Sequence, residues 1–216
     1  MQKSRSTVNS HIRHNAHSTI VLASNNSGKF REFTHLFMDT GLHIVSQQEY
    51  QVADVEETGL SFIENAIIKA RHACEKTKLP AIADDSGLAI DYLNGAPGIY
   101  SARYAGTHGN DSANNQKVLH ALNAVPTEQR TARFICALAF MQHTNDPTPI
   151  VCQASWEGVI ATQEHGDNGF GYDPLFWLPE YNCCSSELEK DKKNSVSHRA
   201  KALQLLLNAF KQHGIV

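Results

Sequence analysis

The chain has 216 residues, is 41% apolar and carries a formal net charge of −3, so it can fill one large or two small cores and lacks the basic excess that holds nucleic acid. No apolar run approaches the roughly eighteen residues of a membrane span, and the longest, Phe134 to Met141, excludes that reading. Five cysteines, odd in number and without a C-x-x-C pair, argue against a zinc site and a disulfide framework and point to a reducing, cytoplasmic setting.

Met1 to Ser18 mix Ser, Asn, His and Arg with almost no apolar content. The segment lacks the apolar stretch of a secretory signal, and residues 1–18 are expected to be a disordered leader before a domain spanning 19–216. Thr19 to Ser24 reads as a short buried strand. Phe30, Phe33, Leu36 and Phe37 then recur at helical spacing between Asn26 and Thr40, with Gly41 as the stop. His43 to Ser46 is a second strand, and Asp54-Val55-Glu56-Glu57-Thr58-Gly59 is an acidic turn. Ser61 with Glu64 makes a capping box, and Ile63, Ile67, Ala70 and Cys74 mark one face of a helix running to Lys76.

Pro80 to Ala83 reads as a strand that delivers Asp84-Asp85-Ser86-Gly87, with Leu88 to Asp91 as a return strand and Gly95-Ala96-Pro97-Gly98 as a turn. A helix is expected from about Ser112 to Asn123. Two long β-stretches, Thr131 to Gln142 and Ile150 to Thr162, are joined as a hairpin through Asn145-Asp146-Pro147. Val196 to Gln212 closes the chain as an amphipathic helix with Leu203, Leu206, Leu207 and Phe210 inward. Strand–helix alternation followed by antiparallel strands predicts an α/β fold with a mixed sheet and two lobes around a cleft.

Two segments stand where strands leave such a sheet, the usual place for ligands. Ser24-Asn25-Asn26-Ser27-Gly28-Lys29 combines small residues, a helix start and a lysine, which suits a phosphate, although it is not a Walker A loop. An Asn-capped helix start with an exposed lysine would read the same way. Asp84-Asp85 offers carboxylates. Adjacent strand residues point to opposite faces, and Asp85 is taken as the one facing the cleft. Two nearby carboxylates repel, and Mg²⁺ or a raised pKa would allow both to persist, with Glu56 or Glu57 as a second ligand. The dipeptide also reads as a plain turn signal. Gly169-Phe170-Gly171-Tyr172-Asp173-Pro174 suits the stacking of a flat ring, or is a tight turn with core aromatics. Lys193 and Ser197-His198-Arg199 place donors at the start of the last helix, where the dipole favours an anion or a carbonyl oxygen, or are a plain exposed basic helix start.

In this order, Ser24-x-Asn26-x-x-Lys29-x-x-Glu32, Glu57-Thr58-Gly59 with Phe62 to Ala66, Ala83 to Arg103, Phe170 to Pro174 and Ser197 to Arg199 resemble the inosine triphosphate pyrophosphatase family, and within it the bacterial dITP/XTP pyrophosphatases. The resemblance spans Thr19 to the C-terminus. It implies an elongated central mixed sheet with flanking helices, two lobes around a nucleotide cleft, a homodimer, and Mg²⁺-dependent hydrolysis of noncanonical purine nucleoside triphosphates to monophosphate and pyrophosphate. By position, Ser24 to Lys29 would hold the triphosphate, Asp85 would be the base, and Asp85 with Glu56 or Glu57 would hold Mg²⁺. Ser86, Phe170, Gly171, Tyr172, Asp173, Lys193, His198 and Arg199 would line the base and sugar pocket. A broader nucleotide phosphatase and a non-catalytic nucleotide-binding module are the competing classes, separated by product analysis.

Overall fold

A computed structural model of the chain describes residues 19–216; the expected leader lies outside the described residues. Seven strands form one mixed sheet in the order β2-β1-β3-β4-β5-β6-β7. β1 (Thr19–Leu22) lies parallel to β2 (His43–Ser46) and to β3 (Ala81–Ile90). The antiparallel half is β3, β4 (Thr131–Met141), β5 (Ile150–Ile160), β6 (Phe176–Leu178) and β7 (Cys183–Cys184). The hairpin between β4 and β5 is as expected, and Asp146 organises it by accepting from the Gln142 and Thr148 backbone N–H groups at 2.9 Å each.

Alternation along the strands sends side chains to two helical layers. Ile20, Leu22 and Ile82 pack with Phe33 and Phe37 of α1 (Ser27–Phe37) and with Leu203, Leu206 and Phe210 of α5 (His198–Gln212). Val21, Ala81 and Ala83 pack on the other face against Ala66, Ala70, Ala73 and Cys74 of α2 (Phe62–Thr77). β3 is buried along almost its whole length because both its faces are covered. A third cluster, at the other end of β3, β4 and β5, joins Leu88, Ile90 and Phe134 to Val118 and Leu122 beside α3 (Asp111–Ala121) and to Phe176. The first two clusters build one lobe and the third builds the other. Among the described residues no helix is long and apolar enough to cross a membrane.

Four expectations needed correction. Asp84 to Gly87 is not a turn between two strands but the middle of the single strand β3, which pairs with β4 from Ala81↔Met141 to Ile90↔Ala132. Gly87 serves close approach instead: a Cβ there would lie 2.5 Å from Ser101 Oγ and 2.6 Å from the Gly98 carbonyl oxygen. The last helix starts later than Val196. Ser197 separates α4 (Lys190–Val196) from α5 and caps α5 by accepting from the Ala200 N–H. α1 ends at Phe37, before the predicted Thr40, and Gly41 takes a left-handed φ of +78° in the turn that follows. On α2 the buried face runs through Phe62, Ala66, Ala70 and Cys74, leaving Ile63 and Ile67 half-buried at its edge.

Candidate active site

β1 pairs with β3 only as far as Ile82, and its chain then turns into the loop that enters α1. Beyond that point β3 continues on its own beside β4, and a cleft opens along Asp84, Asp85 and Ser86. It consists of two cavities of about 680 and 630 Å³ that share Ser86, Ala102, Phe170 and Arg199 in their walls.

The first cavity is the charged end. Asp84 points to the α1 and α5 side, where Lys29 Nζ lies 2.7 Å away, Ser86 Oγ donates at 3.2 Å, and Arg199 Nε is 4.0 Å away. Asp84 is 1% exposed. Burial alone would raise its pKa, but the Lys29, Arg199 and Lys69 cations outweigh burial and hold the carboxyl well below the usual range. Arg199 is buried as well and is also held by Glu32 at 3.4 Å.

Asp85 points the other way, to α2. Asn65 Nδ2 donates to it at 3.2 Å, and Lys69 Nζ lies 3.4 Å from Asp85 and 2.7 Å from Glu57. Burial, reinforced by the Glu57 charge, pushes the Asp85 carboxyl up despite Lys69. Burial opposes the Lys69 charge, but Asp84, Asp85 and Glu57 together hold its ammonium above the ordinary value. Glu57 and Asp85 are therefore two carboxylates facing one lysine, with Arg103 at 3.9 Å from Glu57 as a further cation. Glu56 also lines the cavity but is exposed and makes no ion pair among the described residues.

The oxygen donors of Glu57 and Asp85 fit a hard divalent cation. No group of three or more His, Cys, Asp or Glu side chains among the described residues forms an all-protein cage.

The Ser24–Lys29 loop differs in detail from a bare phosphate cradle. Asn26 is the N-cap of α1, and its Oδ1 accepts from the Gly28 and Lys29 N–H groups at 2.8 and 3.0 Å. Two donors expected to face phosphate are thus already engaged, which leaves more of the attraction to Lys29, Lys69 and Arg103. Ser24, Asn25, Asn26 and Lys29 line the cavity, whereas Ser27 and Gly28 do not.

The second cavity is the aromatic end. Phe170 is 61% exposed at the junction of the two cavities, with Lys193 Nζ 5.1 Å and the Arg199 guanidinium 6.0 Å from its ring centre. Tyr172, by contrast, is buried and donates its hydroxyl to the Ser101 carbonyl at 2.8 Å. Phe170 is therefore the ring of this loop left free to stack, and Tyr172 serves the wall. Asp173 is engaged on both oxygens, accepting from Ser185 Oγ at 2.6 Å, from the Phe170 N–H at 2.8 Å and from Lys193. Gly171 is bracketed by α3: its N–H donates to Asp111 at 2.6 Å and its carbonyl accepts from Asn115 at 3.1 Å.

His198 is buried, stacks on Phe134 at 4.9 Å between ring centres, and leaves Nδ1 without a hydrogen-bond partner among the described residues. Burial, with Arg199 and Lys193 adding repulsion, pushes its pKa well below the usual value, so the ring is neutral at neutral pH.

A family model described as the Ham1 family matches residues 20–209. This chain belongs to the Ham1 family. A dITP/XTP pyrophosphatase of Vibrio cholerae is 60% identical over 89% of this chain and 96% of its own length. One of Salmonella typhimurium is 55% identical over 89% of this chain and 98% of its own. Among solved structures, a Ham1 protein from Coxiella burnetii superposes with a TM-score of 0.87 at 49% identity, covering 90% of this chain and 98% of that one. The Ham1 protein of Staphylococcus aureus superposes at 0.83 and 41%, covering 90% and 99%.

Sequence reasoning missed several residues of this Ham1 cleft. Asn65 and Lys69 stand four apart on α2, which puts them on one helix face beside the Ala66–Ala70 stripe. That spacing was a readable signal, but it names no partner until α2 packs on β3. Arg103 carried no signal of its own, because its relevance depends on the turn that folds residues 98–103 back against Gly87.

Proposed function

We propose that this chain is a nucleoside triphosphate pyrophosphatase that hydrolyses noncanonical purine nucleotides, dITP, XTP and ITP, to the monophosphate and pyrophosphate. The names of its relatives support this reading. The observation that carries it is the joining of the two cavities: Asp85, Glu57, Lys69 and Lys29 line one end, Phe170 stands at the junction, and neutral His198 lines the other. A triphosphate and a flat base require such a pair of sites in continuity.

Asp85 acts as general base. With no metal bound, burial and the Glu57 charge raise its pKa, which makes its ionised form a stronger proton acceptor than an ordinary aspartate. The water oxygen bonds to the α-phosphorus, its proton passes to Asp85, and the bond from the α-phosphorus to the bridging oxygen breaks, releasing pyrophosphate. Lys29, Lys69 and Arg103 offset the charge gathering on the leaving group. Asp85 with Glu57, or Glu56 beside it, would hold Mg²⁺, which when bound neutralises phosphate charge and acidifies water. Asn65 holds the Asp85 carboxylate in place.

At the other end Phe170 stacks on the base, while Arg199 and His198 supply donors for a 6-keto oxygen. Adenine, with a 6-amino group, would leave those buried donors unmatched. A cytoplasmic homodimer belongs to the same reading, and the five free cysteines support the reducing compartment.

Incubation with dITP, XTP, ITP, GTP and ATP, with and without Mg²⁺, tests the reading through its products. Monophosphate and pyrophosphate from the first three, in the presence of Mg²⁺, is the expected result. Orthophosphate as the product, or equal turnover of ATP, would overturn it.

A further inference from the structure

Three side chains from three separate segments close a hydrogen-bonded ring at the rim of the charged cavity. Asn25 belongs to the loop entering α1, Gln47 to the short 3-10 turn after β2, and Asp54 to the acidic turn that carries Glu56 and Glu57. Asn25 Nδ2 donates to Asp54 Oδ1 at 2.8 Å, Gln47 Nε2 donates to the same oxygen at 2.9 Å, and Gln47 Nε2 also reaches Asn25 Oδ1 at 3.1 Å. Gln47 is only 3% exposed, so the ring is anchored in the body of the protein, whereas Asn25 and Asp54 are exposed. The Asn25 carboxamide is turned to the ring by both its oxygen and its nitrogen.

We propose that Gln47 and Asp54 are positioning residues that tie the Ser24–Lys29 loop to the carboxylate turn. The phosphate side of the cleft and the Glu57 side are then set as one unit before substrate arrives. The proposal rests on the cleft being a nucleotide site. Neither residue has to touch the nucleotide; each acts by removing the freedom of two loops that would otherwise be ordered at the expense of binding.

Asp54→Ala and Asp54→Asn separate the ring from its charge, because asparagine keeps an oxygen that accepts from both Asn25 and Gln47. In Asp54→Ala, hydrogen exchange without nucleotide should accelerate in segments 24–29 and 54–58 together. KM for dITP should rise by up to about tenfold, the scale of one or two hydrogen bonds, while kcat changes by less than about twofold. Asp54→Asn should restore both readouts, and Gln47→Leu should reproduce the alanine result. Unchanged exchange in 24–29 for Asp54→Ala would overturn the proposal, as would an Asp54→Asn protein as impaired as Asp54→Ala, which would assign the role to charge. The exchange readout needs no turnover. A wild-type protein that hydrolyses no nucleotide would therefore overturn the pyrophosphatase reading and leave exchange to decide the ring.

Discussion

On the face of the sheet turned to α1 and α5, Asp84 meets Lys29 at 2.7 Å, with Arg199 beyond it. On the face turned to α2, Asp85 meets Asn65 at 3.2 Å and shares Lys69 with Glu57. One peptide bond separates two carboxylates whose pKa values move in opposite directions. Both are buried, so burial is not the difference. Asp84 has the Lys29 ammonium to itself, with Arg199, which Glu32 also holds, beyond it, whereas Asp85 divides one cation with a second carboxylate. On the proposed reading, the same residue type is thereby made an anchor on one face and a proton acceptor on the other.

The largest test of that contrast is Asp85→Asn. It should lower kcat by about 10²- to 10⁴-fold, the usual contribution of a general base, while nucleotide binding stays measurable by calorimetry. An unchanged kcat would remove Asp85 from the chemistry. Asp84→Ala should instead be felt in stability, because it removes the partner of Lys29 and leaves the buried Arg199 with Glu32 alone. A loss of about 3–5 kcal/mol in urea unfolding is expected, against a change within about 1 kcal/mol for Asp85→Asn. Equal losses for the two variants would erase the distinction between the faces.

His198 extends the comparison to the aromatic end. Its folded pKa is depressed, so the unfolded chain binds the proton more readily. Stability is then full above the unfolded value of about 6.5 and falls as pH drops below it, by at most about 1.4 kcal/mol per unit. Urea midpoints between pH 7.5 and 5 should show a steeper decline for the wild type than for His198→Gln. The smallest expected effect is that of Phe170→Ala. The side chain is 61% exposed, so the thermal midpoint should hold, while KM for dITP rises about three- to tenfold through lost stacking. An unchanged KM would end the stacking role.

Much of this protein was readable one segment at a time. The caps at Asn26 and Ser61 are each made by hydrogen bonds within three residues, and both form. The β4–β5 hairpin and the sheet's change from parallel to antiparallel pairing were legible for the same reason, since periodicity and turn chemistry are local. The kinds of chemistry at the cleft, carboxylates, a lysine, aromatics between glycines and a basic helix start, could likewise be named from the chain.

Tertiary packing decided what those groups do. Asp84-Asp85-Ser86-Gly87 carries turn residues, yet it runs straight as a strand because β4 pairs along all of it and because Gly87 lets residues 98–101 close over it. Which face each aspartate takes follows from the strand's alternation, but which cations it meets depends on distant helices: Lys69 lies 16 residues before Asp85, Lys29 55 residues before Asp84 and Arg199 115 residues after it. Tyr172 and Phe170 are two residues apart and have opposite fates, one buried on Ser101 and one exposed over the cleft. A side chain's type is written in the sequence, whereas its charge state and its partners are set by the field and the dielectric of the neighbours that folding brings to it.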